Sequence, residues 1–172
     1  ATTVFPAEVW AAIKTCSLRS KCIIACFWKS SSSNGNVLAG IGRGQMEVID
    51  DRVEARRNNY NFYKNNLSKF ESIKFLEEPE GFFSNRWITC IKTSSYALRE
   101  KIRLALQQDD VESRPLWKPM HMQPVFKDCL SYTDGTSEKL FSDGLCLPSG
   151  SNLTQEDLER VLNIITKTLN LW

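Results

Sequence analysis

The chain has 172 residues, which is enough for one sizeable domain and too short for two large ones. With 42% hydrophobic and 24% charged residues it has the composition of an ordinary globular protein, and a formal net charge of +2 gives no argument for nucleic-acid binding. The longest apolar run, Cys22 to Trp28, falls far short of the roughly 20 residues that cross a bilayer. Since the first residues also lack a signal-peptide pattern, we expect a cytoplasmic protein that binds neither nucleic acid nor membranes.

Residues 1–35 show no clean helical or strand period and end in a Ser-rich, Asn-Gly tract typical of a turn or a flexible segment. Three of the six cysteines lie here, Cys16, Cys22 and Cys26, with the spacing C-x5-C-x3-C. That spacing matches neither zinc-ribbon pairs nor common iron–sulfur motifs. We therefore expect reduced thiols in this segment and no metal site.

A long amphipathic helix is predicted over residues 37–67, because one stripe recurs along it at steps of three and four residues. The stripe consists of Ile49, Val53, Arg56, Tyr60, Tyr63 and Leu67. Near its start, the sequence AGIGRGQ resembles a phosphate-binding glycine loop, but its spacing is G-x-G-x-G and no strand precedes it. We favour a helix that packs closely against another backbone over a nucleotide-binding loop.

The remaining pattern predicts helices packed against a small, mostly antiparallel sheet, which is the α+β class. A turn is expected at Pro79 and Gly81, a helix cap at Ser94 or Ser95, and a capping box from Thr154 and Asp157. In chain order we predict strands near 73–76 and 86–93, a helix over 96–107, a short helix over 137–141, a strand within 145–151 and a final helix after residue 154.

Residues 112–124, ESRPLWKPMHMQP, have the composition of a recognition loop. Three prolines fix the backbone, so the loop has little entropy to lose on binding. Arg114 offers a planar fork for carboxylate or phosphate, Lys118 a point charge, and Trp117 a surface that can stack on a flat ring. His121, the only histidine, could act as an acid or base, or simply pack within a rigid loop.

No nucleophile stands in a recognisable catalytic context, and a single histidine excludes any site that needs two. We therefore assign no catalytic residue and no metal ligand. Arg86, which follows Asn85, could add a second cation to the loop, although a surface ion pair at a strand end explains it equally well. The ligand indicated is anionic and partly planar or sugar-like.

Four long strings of the sequence carry a family resemblance. They are NVLAGIGRGQMEVIDDRVEARRNNYNFYKNNL (36–67), EPEGFFSNRWIT (78–89), ESRPLWKPMHMQPVFKD (112–128) and SEKLFSDGLCLPSGSNLTQEDLERV (137–161). Together they resemble the C-terminal part of the nucleotide-sugar aminotransferases of the DegT/StrS type, which are pyridoxal-phosphate enzymes. The resemblance covers about residues 36–169.

The resemblance implies that residues 36–172 form the small C-terminal domain of a fold-type I aminotransferase, whereas residues 1–35 do not match the family. In the family, a lysine holds pyridoxal phosphate, glutamate usually donates the amino group, and a keto sugar on a nucleotide receives it. The products are amino sugars for cell-surface polysaccharide such as capsule or lipopolysaccharide. The residues expected near the substrate are Arg114, Lys118, His121, Trp117, Arg86 and Asn85.

The sequence departs from the family pattern before residue 36. Lys14, in AAIKTC, does not resemble the cofactor lysine's context, so we expect the isolated chain neither to hold pyridoxal phosphate nor to be active. Residues 4–10, VFPAEVW, permit a Gly-rich family stretch in another reading frame, which would make the chain a piece of a truncated or frameshifted gene. The alternatives are a sugar-nucleotide-binding module without chemistry and an inert remnant. We also expect a homo-oligomer formed along the 37–67 helix.

Overall fold

The computed structural model describes residues 36–172, with side chains from residue 39 onward. The sequence-based expectations for Lys14, for Cys16, Cys22 and Cys26, and for the reading frame of residues 4–10 lie outside the described residues. The chain divides into two compact units, residues 1–52 and 53–172. The architecture described below, apart from the first helix and the start of the second, belongs to residues 53–172.

The region predicted as one helix over 37–67 forms two helices, α1 (Asn36–Glu47) and α2 (Ile49–Leu67). A single residue, Val48, interrupts them, and its carbonyl still accepts the Arg52 N–H at 3.1 Å. The glycine-rich stretch is helical and not a phosphate-binding loop. A Cβ at Gly40 or Gly44 would meet no described atom within 4 Å, so the close backbone approach that we expected is not seen at these two positions.

Residues 53–172 contain a four-stranded sheet in which every neighbouring pair is antiparallel. The spatial order is β1-β2-β4-β3. The predicted turn between the first two strands is present, since the Phe82 N–H bonds the Pro79 carbonyl and Gly81 has φ 78°, as a type II turn requires. The strands are β1 (Ile73–Phe75), β2 (Thr89–Thr93), β3 (Arg114–Pro115) and β4 (Gly144–Leu147).

Three further helices follow the predicted positions closely. Ser95 caps the first of them by accepting the Leu98 N–H, and Thr154 and Asp157 form the expected capping box at the start of the last. The helices are α3 (Tyr96–Gln108), α4 (Thr136–Asp143) and α5 (Gln155–Asn170), and short 3-10 turns span Met120–Met122 and Pro124–Phe126.

The core lies between one face of the sheet and the helices α2, α3 and α5. On β2, Thr89, Ile91 and Thr93 are buried against this core, so Cys90 and Lys92 point to the opposite, outer face. The predicted α+β class is confirmed. The core consists of Tyr63, Leu67, Ile73, Ile91, Leu98, Ile102, Leu106, Leu145, Leu147, Leu158, Val161, Ile165 and Leu169.

The outer face of the sheet carries polar and reactive side chains in register. One row across the strands is Lys74, Lys92 and Gly144, and the next begins with Cys90 and Cys146. Arg114 continues that second row, on β3. This face is where the candidate site lies.

Candidate functional site

A cleft of about 610 Å³ opens beside β3 and β4. Its walls come from α2, from the segment before β2, from β3 and from the loop after β4. Chain segments that are far apart in sequence therefore meet at one place. The side chains that line it include Arg56, Trp87, Glu112, Ser113, Arg114, Trp117, Cys146 and Ser149.

Two tryptophans form the aromatic side of the cleft. The rings of Trp87 and Trp117 lie 5.8 Å apart at an interplanar angle of 35°, and both remain more than half exposed. Arg56 Nη1 donates to the Trp87 carbonyl at 3.3 Å, which ties the first tryptophan to α2. An exposed aromatic pair beside cationic groups is suited to stacking on a planar ring of a ligand.

Arg114 provides a guanidinium at the mouth of the cleft. It lies on the short edge strand β3, opposite Cys146 in the register. Its present partner is Glu112, with Arg114 Nε donating to Glu112 Oε1 at 2.7 Å, and both side chains are largely exposed. An exposed ion pair of this kind contributes little free energy, so an anionic ligand can displace the glutamate at small cost.

The cleft also holds polar atoms that lack partners. Arg56 Nε and Ser113 Oγ are buried and form no hydrogen bond with any described residue. Nearly all buried polar atoms in folded proteins are hydrogen-bonded, so these two atoms are exceptions. Tyr63 Oη and Thr89 Oγ1, away from the cleft, are two further exceptions.

Arg86 and Asn85 shape the segment that presents Trp87. Asn85 Oδ1 accepts the Trp87 N–H at 3.0 Å, and Arg86 has the positive φ of 47°. The Arg86 guanidinium lies 3.8 Å above the ring of Tyr60 and donates to the Leu76 carbonyl at 3.0 Å. Neither residue lines the cleft, so the structure does not bring them together with Arg114.

Glu78 holds the same segment in place through ion pairs and a hydrogen bond. Its carboxylate pairs with Arg57 at 3.1 Å and with Arg86 at 3.6 Å, and it also accepts the backbone N–H of Ser84. The hydrogen bond from Arg57, followed by that from Ser84, holds the pKa of Glu78 below its usual value. The turn before β2 is therefore held by charge-assisted bonds that need an ionised carboxylate.

Lys118 and His121 lie in the segment that follows Trp117 and do not line the cleft. His121 Nε2 lies 2.6 Å from Glu138 Oε1, beside a shallow second depression that Thr133 also lines. Hydrogen bonds to Glu138 from its own backbone N–H, from nearby hydroxyls and from His121 lower the pKa of this carboxyl. Within residues 39–172, the Lys118 ammonium has no hydrogen-bond or ion-pair partner.

Of the six residues expected near a substrate, the structure brings Arg114 and Trp117 together in one cleft. It adds Arg56, Trp87 and Ser113, which sequence reasoning missed as site residues. Arg56 was visible only as the one charged member of a helical stripe, and Trp87 only as the neighbour of Arg86. The proximity of these residues depends on strand register and could not be read from spacing.

Pyridoxal phosphate needs a lysine for its Schiff base, and the lining of this cleft includes neither a lysine nor an aspartate. The cleft therefore does not fit the cofactor as its covalent site. Within the described range there is also no group of three potential metal-ligating side chains. No described helix is both long and apolar enough to span a bilayer.

Comparisons with known proteins connect the chain to a family. The sequence is 41% identical over 134 residues to the "Putative pyridoxal phosphate-dependent aminotransferase EpsN" of Bacillus subtilis, covering 76% of this chain and 34% of that protein. It is 28% identical over 123 residues to the GDP-perosamine synthase of Escherichia coli O157:H7, covering 72% of this chain and 33% of that protein. The chain thus spans about a third of the length of the curated relatives it matches.

Solved structures show the same fold. The aminotransferase TlmJ from Streptoalloteichus hindustanus superimposes with a TM-score of 0.74 at 21% identity, covering 80% of this chain and 37% of that one. An aminotransferase from Brucella abortus superimposes with a TM-score of 0.62 at 26% identity, covering 72% and 33%. The profile of the DegT/DnrJ/EryC1/StrS aminotransferase family matches residues 33–166, and the chain belongs to that family.

Proposed function

We propose that this chain supplies the small domain of a pyridoxal-phosphate-dependent aminotransferase that forms an amino sugar on a nucleotide carrier. The observation that carries the proposal is the cleft, which two arginines and a tryptophan pair line together. A nucleotide sugar combines an anionic diphosphate with a planar base, and these are the groups that such a cleft can bind. The names of the relatives, which include GDP-perosamine synthases, support this substrate class.

Within this proposal, Arg114 exchanges Glu112 for a phosphate or carboxylate of the substrate, and Arg56 adds a second positive charge. Trp117 and Trp87 offer their exposed faces to a planar or sugar ring. Lys118, whose ammonium has no described partner, contributes a longer-range attraction for the anionic ligand.

His121, Arg86 and Asn85 have supporting parts in the same proposal. Glu138 fixes the His121 ring, so this histidine can present one defined nitrogen to a sugar hydroxyl. Arg86 and Asn85 hold the backbone that presents Trp87. Their direct contact with the substrate stays a prediction.

We further propose that the 172-residue polypeptide does not catalyse transamination by itself, although glutamate would be the amino donor of the whole enzyme. The cleft contains no lysine that could form the cofactor's Schiff base. Pyridoxal phosphate supplies the electron sink for this chemistry, so without an anchored cofactor the chain would retain only binding.

The biological setting is part of the proposal as well. We assign the product to cell-surface polysaccharide and the site of action to the cytoplasm, where the free thiols of Cys90, Cys129 and Cys146 would persist. Self-association through the 37–67 region is supported by the exposed side chains of Ile41 and Val48, which are 56% and 37% exposed.

The test combines binding and turnover on the full chain. The chain is incubated with pyridoxal phosphate, reduced with borohydride and mapped by mass spectrometry, and in parallel it is assayed with glutamate and a nucleotide-linked keto sugar. We expect no single modified lysine and no amino sugar, together with measurable binding of the nucleotide sugar. Turnover would contradict the proposed inactivity of the chain, and absence of binding would contradict the proposed role of the cleft.

A further inference from the structure

Two of the described cysteines face each other across the sheet. Cys90 on β2 and Cys146 on β4 are register partners, and their Sγ atoms lie 3.8 Å apart. Both are free thiols on the outer face of the sheet. The third described cysteine, Cys129, is exposed and has no sulfur partner among residues 39–172.

The pair is placed where a covalent bond can form with little movement. Directly opposed residues of an antiparallel pair have Cα atoms about 4.5–5.5 Å apart, which is inside the range of roughly 4.4–6.8 Å found for disulfides. The two sulfurs need to close from 3.8 Å to about 2.05 Å, which small side-chain rotations can supply without moving the strands. Register alone thus gives the geometry for a cross-strand bond.

The two thiols differ in exposure. Cys146 lines the cleft beside Arg114 but is buried, whereas Cys90 is partly exposed. The two sulfurs share one hydrogen bond, in which either can be the donor. Oxidation of either sulfur therefore leaves the other within reach to resolve it.

We propose that Cys90 and Cys146 form an oxidisable dithiol, which a hydroperoxide converts into a reversible cross-strand disulfide. One thiolate of the pair attacks an oxygen of hydrogen peroxide, the O–O bond breaks, and a sulfenic acid and one water form. The partner sulfur then attacks the sulfenic sulfur, the S–O bond breaks, and a second water leaves. In sum, two thiols and one hydrogen peroxide give one disulfide and two waters, and a dithiol reductant reverses the reaction.

The bond would change the wall of the cleft. It draws Cys146 Sγ toward Cys90 and ties β4 covalently to β2, whose preceding segment carries Trp87. An effect on substrate binding rests on the proposed function, whereas formation of the disulfide does not. The experiment therefore reads the disulfide directly.

Trypsin separates the relevant cysteines into different peptides. Cys90 falls in residues 87–92, Cys129 in 128–139 and Cys146 in 140–160. The reduced full-length chain is treated in its native state with hydrogen peroxide, blocked with iodoacetamide, and digested without reductant. We expect a linked species of peptides 87–92 and 140–160, loss of both from the alkylated pool, and their return after treatment with dithiothreitol.

Serine variants test the two-step route. In Cys90→Ser and in Cys146→Ser, we expect the remaining thiol of the pair to accumulate as a sulfenic acid that dimedone labels, because its resolving partner is gone. Cys129→Ser is the matched control and should leave the linked species unchanged. The proposal is overturned if Cys90 and Cys146 are recovered alkylated at a peroxide dose that oxidises Cys129, or if Cys90 links equally to other cysteines.

Discussion

At the residue scale, Gly144 shows how one position sets the shape of the outer face. A Cβ at this position would collide with Leu116 Cδ1 and with the Leu140 carbonyl oxygen. Leu116 follows β3 and immediately precedes Trp117. Its side chain packs on Gly144, and this contact helps to fix the position of Trp117 in the cleft. The chain before Trp117 can approach β4 this closely only where the strand lacks a side chain.

Gly144→Ala should therefore destabilise residues 53–172 by roughly 1–3 kcal/mol, as overpacking of a close contact does. The measurement is urea unfolding followed by tryptophan fluorescence. The matched control is Gly40→Ala in α1, where a Cβ meets no described atom within 4 Å. In that exposed helix the change should be neutral or stabilising by up to about 1 kcal/mol. Equal effects of the two variants would contradict the close packing of Leu116.

At the element scale, the features predicted from sequence were those with local causes. The cap at Ser95, the capping box of α5 and the turn at Gly81 each depend on residues within a few positions of one another. The composition of the candidate site depends instead on tertiary packing between distant segments. Arg56 and Trp87 are 31 positions apart, and only the packing of α2 against the segment before β2 brings them together. The break at Val48 likewise left no signal in the periodicity.

The capping box at the start of α5 allows a quantitative prediction about the free energy of unfolding. Thr154 accepts the Asp157 N–H, and the Asp157 carboxylate accepts from the Thr154 N–H at 2.9 Å. Thr154→Ala removes the hydroxyl and should lower the free energy of unfolding by about 1 kcal/mol. Asn163→Ala, at an exposed position of the same helix, is the control and should have no such cost. A Thr154→Ala chain as stable as the unmodified one would show that the cap does not contribute.

At the scale of the whole molecule, five carboxyl groups with lowered pKa values make stability depend on pH in the same direction. The carboxyls of Glu78, Glu100, Asp134, Glu138 and Asp157 all have pKa values below their usual ones, because hydrogen bonds favour their ionised forms. A depressed pKa in the folded state means that the unfolded chain binds protons more readily. Stability from these groups is therefore present above the ordinary carboxyl pKa and is lost as the pH falls through the folded values.

We accordingly expect the free energy of unfolding to be nearly constant from pH 7 to about 5.5 and to fall progressively below about pH 4.5. Urea unfolding at a series of pH values measures this dependence. Glu78→Gln removes the carboxylate that anchors the turn before β2, so it should flatten the acid limb while lowering stability at pH 7. A free energy of unfolding that rises on acidification would contradict the depressed pKa values of these carboxyls.

The molecule as a whole is best understood as a scaffold that brings distant segments to one cleft. The helix α2 brings Arg56, the segment before β2 brings Trp87, and the loop that includes β3 brings Ser113, Arg114 and Trp117. The family resemblance was readable from long strings of sequence. The convergence of these segments was not readable from the sequence. It depends on the register of β3 against β4, and a shift of one residue would turn Arg114 to the other face of the sheet.

The most direct measurement is a titration of the isotopically labelled chain with a nucleotide diphospho-sugar, followed by NMR of the indole and guanidinium groups. The indole signals of Trp87 and Trp117 should shift together with the side chain of Arg56, whereas Trp172, outside the cleft, should not. Arg114→Gln should weaken binding by roughly tenfold or more, as loss of a charge-assisted hydrogen bond implies. Arg103→Gln, on the surface of α3, should leave it unchanged. Shifts confined to other residues, or equal binding by both variants, would contradict the assignment of the cleft as the nucleotide-sugar site.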